Sequence, residues 1–374
     1  MQPFTLLIKP SGSNCNIDCV YCFYKSRSPE IGHGRQRMNE EVLETLIRDY
    51  LQLNMPCADF AWQGGEPTLM GLEFYEKAIE LQKKYSRQGQ QITNSLQTNG
   101  ILLNDKWCKF LHDNHFLLGI SIDGPKELHD FYRLDYSGTG TFDKVVTGIE
   151  KCREYDVEFN TLTLLNAKNI EHPDKIVDFL LTLGVKFMQF IPCVEIDPAT
   201  KKIADFSITP EQYGEFLCRV FDFWSNYGFA NLSIRDFDSL LSYCVTGRHT
   251  ICTYDNRCSQ YIVIEHSGDA FCCDFFVDPE WRLGNILETP IEKLAASNTK
   301  LKFSRAKQNL SNKCLICNYM PVCRGGCMKN RIGANKIDFE RETYFCKSYK
   351  RFFDYALPKF IYVAAQIKAE ISKP

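Results

Sequence analysis

No stretch of this 374-residue chain approaches the roughly 18 consecutive apolar residues that a membrane-spanning helix needs, which excludes an expected transmembrane segment. A signal-peptide core is missing too, because Lys9 and Pro10 interrupt the first apolar run. Nor is there a surplus of charge of either sign. A formal net charge of -2 gives no electrostatic reason to expect a nucleic acid or an anionic membrane surface as partner. The expected location is therefore cytoplasmic. That compartment disfavours disulfide frameworks, yet the chain holds 18 cysteines, far above ordinary usage. Metal binding is the better explanation for them.

One further thing is absent: a fourth cysteine in the first cluster. Cys15-Asn-Ile-Asp-Cys19-Val-Tyr-Cys22 follows the apolar run Phe4-Thr-Leu-Leu-Ile8 and supplies three thiolates from one tight loop. A closed zinc site or an ordinary four-iron cluster takes four ligands. Three leave one metal position open to a substrate, unless a distant residue completes a zinc knuckle. The carboxyl-terminal third carries a second group: Cys252-x5-Cys258, then Cys272-Cys273-Asp274, then Cys314-x2-Cys317-x5-Cys323-x3-Cys327, and finally Cys346. Leaving out one of the adjacent pair gives eight sulfurs, or two four-ligand sets, and both zinc and iron-sulfur accept four thiolates. Cys57, Cys108, Cys152, Cys193, Cys218 and Cys244 lack ligand-like spacing and are assigned to packing.

Up to about residue 195, short apolar runs alternate with amphipathic ones. Strands are expected at 4–9, 58–63, 91–98, 117–122, 157–164 and 185–191, and helices at 39–53, 72–86, 104–114, 142–155 and 170–183. Such alternation implies an α/β fold of parallel strands with right-handed crossovers, whose active side lies at the strand carboxyl ends. Those ends carry polar motifs: Gln63-Gly-Gly-Glu-Pro-Thr68, Asn94-Ser-Leu-Gln-Thr-Asn-Gly100 and Ser121-Ile-Asp-Gly-Pro125. The paired glycines permit close backbone approach to a ligand, or simply a tight turn. Arg133, in Asp130-Phe-Tyr-Arg-Leu-Asp135, reads either as a surface ion pair or as a carboxylate-binding fork. Gly138-Thr-Gly140 is a loop. Thr209-Pro-Glu-Gln212 opens a helix to about 227 whose aromatic stripe, including Phe216, Phe221 and Trp224, is packing. Tyr261-Ile-Val-Ile-Glu265 and Asp269-Ala-Phe-Cys272, joined by His266-Ser-Gly268, form a β-hairpin that delivers Cys273 and Asp274.

The three-cysteine loop followed by Gly-Gly-Glu-Pro one βα unit later resembles the radical S-adenosylmethionine (SAM) enzymes, and the later cysteine series resembles their SPASM extension. The resemblance narrows further. Leu6-Leu-Ile-Lys-Pro10, Tyr21-Cys-Phe-Tyr24, Gln63-Gly-Gly-Glu-Pro-Thr-Leu69, Ser95-Leu-Gln-Thr-Asn-Gly100, Cys273-Asp-Phe-Phe276 and Trp281-Arg-Leu-Gly-Asn-Ile286 are together similar to the anaerobic sulfatase-maturating enzymes.

This implies a partial (β/α)6 TIM-like barrel over 1–230 and a SPASM domain with two auxiliary clusters and a carboxyl-terminal helix over 231–374. It also implies three [4Fe-4S] clusters. Cys15, Cys19 and Cys22 hold the first, whose open iron binds SAM. Cys252, Cys258, Cys273 and Cys327 hold one auxiliary cluster, and Cys314, Cys317, Cys323 and Cys346 the other, with Cys272 left over. SAM contacts carry over to Tyr21, Gly65, Glu66, Ser121, Arg133 and Val194. The implied partners are a sulfatase polypeptide with a Cys/Ser-x-Pro/Ala-x-Arg motif and an electron donor such as flavodoxin or ferredoxin.

The implied reaction oxidises the motif's cysteine or serine to Cα-formylglycine, with Asp274 as general base, its pKa drawn toward neutrality by burial near a cluster. Another radical SAM peptide modifier, forming a thioether or an epimerised residue, would share every cysteine and differ in product mass. A non-enzymatic zinc-knuckle interaction protein would differ in its metal.

Overall fold

The short apolar runs become strands and the amphipathic stretches between them helices, close to the expected ranges. The computed structural model describes residues 3–26, 36–53, 55–333 and 336–371. The chain divides into two compact units that interleave in sequence. The first comprises Met1–Ile122, His129–Asn160 and Ser259–Ser304, and the second Asp123–Leu128, Thr161–Cys258 and Arg305–Pro374.

In the first unit, β1 (Thr5–Lys9), β2 (Cys57–Trp62), β3 (Gln91–Thr98) and β4 (Phe116–Ser121) pair in parallel in that order. The second unit takes β5 (Phe159–Leu165) from Thr161 on, with β6 (Phe187–Pro192) and β7 (Ser233–Ile234), again in parallel. Back in the first, the expected hairpin forms from β8 (Tyr261–Glu265) and β9 (Asp269–Phe271), and β10 (Arg282–Asn285) extends it antiparallel. β8 then lies parallel to β1 over its whole length, from Thr5 opposite Tyr261 to Lys9 opposite Glu265. A sequence division at residue 230 does not anticipate that pairing. Neither run of strands closes on itself, since β10 ends the first and β7 the second as edge strands.

Between the early strands run α1 (Glu40–Gln52), α2 (Leu72–Tyr85), α3 (Asp105–Asp113) and α4 (Phe142–Glu154). Asn39 caps α1 by accepting the Val42 amide at 2.9 Å, and the stripe Val42, Leu43, Leu46, Ile47, Tyr50 and Leu51 is buried. Each such large apolar side chain contributes about 1.5–3 kcal/mol when removed from water.

In the second unit, α5 (Pro173–Thr182) precedes α6 (Pro210–Tyr227), which opens with the expected capping box: Thr209 and Gln212 bond each other's backbone and Pro210 starts the helix. The long α8 (Cys346–Ile371) packs against both α6 and α7 (Arg235–Thr246), and Phe237 of α7 meets the Phe221 and Trp224 rings of α6. Their shared core is aromatic, with Phe237 stacked on Phe352 at 5.2 Å and Phe360 at 5.1 Å from Phe221 and 5.3 Å from Trp224. The aromatic stripe of α6 is thus packing, as its spacing predicts. Among the described residues no helix is long and apolar enough to cross a membrane.

Because β1 to β4 and β8 all run the same way, their carboxyl ends share one side of the first unit. Lys9, Gln63, Asn99, Ser121 and Glu265 all stand at or just beyond those ends.

Candidate active site

The chain leaves β1 at Lys9 and enters the cysteine loop, which is braced on two sides. On one, the loop backbone pairs with the segment that carries Arg133: Asp18 N donates to Leu134 O at 2.7 Å and Val20 N to Tyr132 O at 3.0 Å. On the other it meets the glycine pair after β2. Gly65 N donates to Gly12 O at 2.8 Å and Glu66 N to Asn14 O at 2.7 Å. A Cβ on Gly65 would sit 2.0 Å from Asn14 O, and Gly64 has φ +134°. The close approach that demands glycine is therefore to the backbone leading into the cysteine loop, where the sequence reading offered a ligand or a tight turn.

Glu66 is fully buried and its carboxylate accepts from Thr68 N at 3.0 Å, Thr68 Oγ1 at 2.5 Å, Thr98 Oγ1 at 2.7 Å and Asn99 N at 2.7 Å. Burial raises its pKa, and these donors pull it back. Asn99 in turn donates Nδ2 to Cys15 Sγ at 3.7 Å and to Asn16 Oδ1 at 2.7 Å. Glu66 thus orders the loop by holding β3's carboxyl end against it.

All 18 cysteines are free thiols. Burial pushes the Cys15 thiol up to about 12, with Glu66, Cys19 and Cys22 adding to the effect, and burial also raises Cys22. Among the described residues no three His, Cys, Asp or Glu side chains converge as ligands of one ion do. A four-iron cluster instead gives each thiolate its own iron and spreads its ligands. The loop suits such a group: three thiols that act on one another's charge, with Asn99 donating to Cys15 Sγ and Arg133 Nη1 to Cys19 Sγ at 3.9 Å.

Arg133 is buried at 8% exposure, away from the surface position that one of its two sequence readings assumed. Asp135 instead binds Ser137 and Thr139, and Asp130 accepts the Phe142 amide. Tyr21 is buried, with the Arg133 guanidinium 5.9 Å from its ring centroid. Ser121 Oγ accepts from Gln97 Nε2 at 3.2 Å. Val194 belongs to the second unit, where its carbonyl accepts from Lys329 Nζ at 2.8 Å.

Asp274 follows β9 and sits in an ionic network. Its Oδ1 pairs with Lys9 Nζ, its Oδ2 accepts from Gln63 Nε2 at 3.1 Å, and Lys9 Nζ is also 3.5 Å from Glu265 Oε1. Lys9 is wholly buried and lies 4.7 Å from the Tyr24 ring centroid. Burial alone pulls the Lys9 pKa down, but Asp274, Tyr24 and Glu265 together raise it above that of a free lysine. Burial also raises Glu265, Lys9 lowers it and Asp274 raises it. Sequence reasoning missed Lys9 and Gln63 as partners of Asp274, and Glu265 as the second carboxylate on Lys9. The available signal was a charged residue ending an apolar parallel strand, where sites form.

In the second unit, burial pushes Cys323 up to about 12, and Cys346, Cys314 and Cys317 each raise it further, so these four thiols stand together. Cys252 is raised by burial and then by Cys327. Cys273 lies in the first unit and is partly buried, whereas the neighbouring Cys272 is 1% exposed. Of the packing cysteines, Cys108, Cys152, Cys193 and Cys218 are buried, with Cys108 and Cys152 sulfurs 3.9 Å apart. Cys57 and Cys244 are only partly covered.

Known proteins are similar to this chain in sequence and in fold. Residues 10–180 match the radical SAM superfamily, and residues 252–318 match SPASM, an iron-sulfur cluster-binding domain. The chain is 40% identical over 373 residues to the cysteine-type anaerobic sulfatase-maturating enzyme of Clostridium perfringens, an alignment covering 98% of this chain and 100% of that protein. It is 36% identical over 374 residues to the serine-type anaerobic sulfatase-maturating enzyme of Bacteroides thetaiotaomicron, covering 96% and 90%. The solved structure of native anSMEcpe with bound AdoMet and Cp18Cys peptide superposes with a TM-score of 0.90 at 38% identity, covering 98% of this chain and 100% of that one. Likeness that runs the length of both chains, in sequence and in fold, places this chain in the family of anaerobic sulfatase-maturating enzymes, radical SAM oxidoreductases with a SPASM iron-sulfur extension.

Proposed function

We propose that this chain oxidises one cysteine or serine of a sulfatase polypeptide, within a Cys/Ser-x-Pro/Ala-x-Arg motif, to Cα-formylglycine, generating 5′-deoxyadenosine and methionine from SAM. End-to-end similarity to enzymes of that name supports the reading. The structural observation that carries it is the placement of Asp274 against Lys9 and Gln63, at the strand ends from which the cysteine loop also departs.

In this reading, Cys15, Cys19 and Cys22 ligate the SAM-binding cluster, and the four-cysteine sets Cys252, Cys258, Cys273, Cys327 and Cys314, Cys317, Cys323, Cys346 ligate two auxiliary clusters, three [4Fe-4S] groups in all. When bound, the first cluster and SAM supply a 5′-deoxyadenosyl radical that takes hydrogen from Cβ of the target residue. Tyr21, Gly65, Glu66, Ser121, Arg133 and Val194 surround SAM, the Arg133 fork matching its carboxylate. Asp274 accepts the proton of the target thiol or hydroxyl, an auxiliary cluster, when bound, would take the second electron, and water would replace the sulfur of the thioaldehyde that a cysteine yields, releasing it as hydrogen sulfide. Gln63 on Oδ2 and Lys9 on Oδ1 fix the direction in which that carboxylate presents its lone pairs. The protein acts in the cytoplasm with a flavodoxin or ferredoxin as electron donor, its radical SAM part within 1–230 and its SPASM part within 231–374.

Anaerobic incubation with SAM, a reductant and a cysteine-containing motif peptide tests this. The expected product is a formylglycine peptide that has lost its sulfur, formed with 5′-deoxyadenosine. A product that keeps the sulfur in a thioether, or an epimer of unchanged mass, would replace this reading with another peptide modification. Zinc in place of iron in anaerobically purified protein would end it.

A further inference from the structure

Two buried cations in the second unit have no carboxylate to answer them. Arg331 is 0% exposed, and its guanidinium donates only to backbone carbonyls: Nε to Gly325 O at 3.2 Å, Nη1 to Asn309 O and Phe339 O at 2.8 Å each, and Nη2 to Lys307 O at 2.9 Å. Lys307 is 1% exposed, and its ammonium donates to Cys252 O and to Thr253 O, the latter at 2.9 Å. Among the described residues no acidic side chain pairs with either. The contact from Arg331 Nη2 to the Lys307 carbonyl also places one cationic residue directly against the other. Carbonyl dipoles satisfy the donors, but they do not neutralise two charges taken out of water.

What does stand near them is sulfur. Gly325, at the middle of the Cys323-Arg-Gly-Gly-Cys327 loop, has φ +76°, and a Cβ there would lie 2.6 Å from Arg331 Nη2. The loop is therefore closed directly over the guanidinium. Cys314, Cys258, Cys327 and Cys323 all act on the charge of Arg331, and Lys307 acts on Cys252. As neutral thiols these cysteines offer no counter-charge. As ligands of the two proposed auxiliary clusters, Cys252, Cys258 and Cys327 of one and Cys314 and Cys323 of the other, they are thiolates, and each group is an anion that becomes more negative on reduction.

We infer that Lys307 and Arg331 are the built-in counter-charge of an auxiliary iron-sulfur cluster, raising its reduction potential by stabilising the reduced, more negative state. The inference rests on the proposed auxiliary clusters and adds to them two residues that no cysteine spacing reveals. In a site closed to water the Coulomb interaction is weakly screened, so two fixed cations bias the cluster toward accepting an electron. Both are positioning residues: they act on the cluster and not on the peptide substrate.

The test uses the full chain with Cys15, Cys19 and Cys22 all replaced by Ala, reconstituted anaerobically with iron and sulfide, so that only auxiliary clusters contribute to the spectrum. Dithionite titration followed by electron paramagnetic resonance gives their midpoints. Lys307→Met should shift one midpoint negative by at least a tenfold change in the reduced-to-oxidised ratio, about 59 mV for one electron. Lys307→Arg and Arg331→Lys, which keep the charge, should leave it within half that shift. Loss of auxiliary iron in Lys307→Met but not in Lys307→Arg also supports a charge role. Equal loss in both, or an unmoved midpoint in Lys307→Met with full iron, overturns it. A triple-Ala chain that binds no iron removes the auxiliary clusters themselves, and the inference with them.

Discussion

At Asp274 a single carboxylate answers two donors, Lys9 on one oxygen and Gln63 on the other. Asp274→Asn keeps the shape and removes the proton-accepting charge. General-base assistance is typically worth roughly 10²- to 10⁴-fold, so the ratio of formylglycine to 5′-deoxyadenosine should fall by that order while iron content holds. An Asn variant with full iron and an unchanged ratio would make Asp274 a bystander. Lys9 is the harder residue to lose. Without it, the buried Glu265 and the half-buried Asp274 are left as neighbouring acids, and removing one partner of a buried ion pair costs about 3–5 kcal/mol. The loss should depend on pH in a definite direction. Burial already raises the Glu265 pKa, and removing Lys9 raises it further. The folded state then holds a proton that the unfolded chain has released above about pH 4.3. Stability of Lys9→Met therefore falls, relative to the parent, as pH climbs from there through the folded-state pKa. Urea melts at several pH values check it, and a deficit independent of pH would refute it.

Elements carry the site through a few contacts that join one loop to the next. Glu66 ties the segment after β2 to the end of β3, and Asn99 passes that order on to Cys15. Glu66→Gln sets an amide donor among groups that are all donors, leaving one or more unsatisfied at about 1–3 kcal/mol each. The expected result is a lower melting temperature together with weaker iron retention by the cysteine loop. Retention equal to the parent's would separate Glu66 from the loop. In the second unit, Cys314, Cys317, Cys323 and Cys346 lie on short turns and at the start of α8, with little core of their own. Small metal-bound segments draw much of their folding free energy from the metal, roughly 10–16 kcal/mol for structural zinc in finger peptides. Cys317→Ala or Cys323→Ala should accordingly aggregate as well as lose activity. A soluble variant with parental turnover would count against a structural cluster there.

Over the whole molecule, the proposed ligand sets of three plus four plus four cysteines would set the iron inventory. Reconstituted protein should hold about twelve irons and as many sulfides, and replacing Cys15, Cys19 and Cys22 together should remove about a third and abolish SAM cleavage. A triple variant that still forms 5′-deoxyadenosine would sink the radical SAM assignment. The local regularities were legible along the chain, because thiol spacing, strand and helix periodicity and the Thr209-Pro-Glu-Gln212 helix start each act within a few residues. So were the family and the reaction, through motifs set at strand ends. Contacts between distant segments were not. That β8 pairs with β1, that Gly65 yields to the Asn14 backbone, that Lys9 meets Asp274 and Glu265, and that Arg331 is buried against backbone carbonyls are outcomes of packing. A lysine or arginine in a sequence looks like a solvated charge, and only burial reveals which of them must find a counter-charge inside.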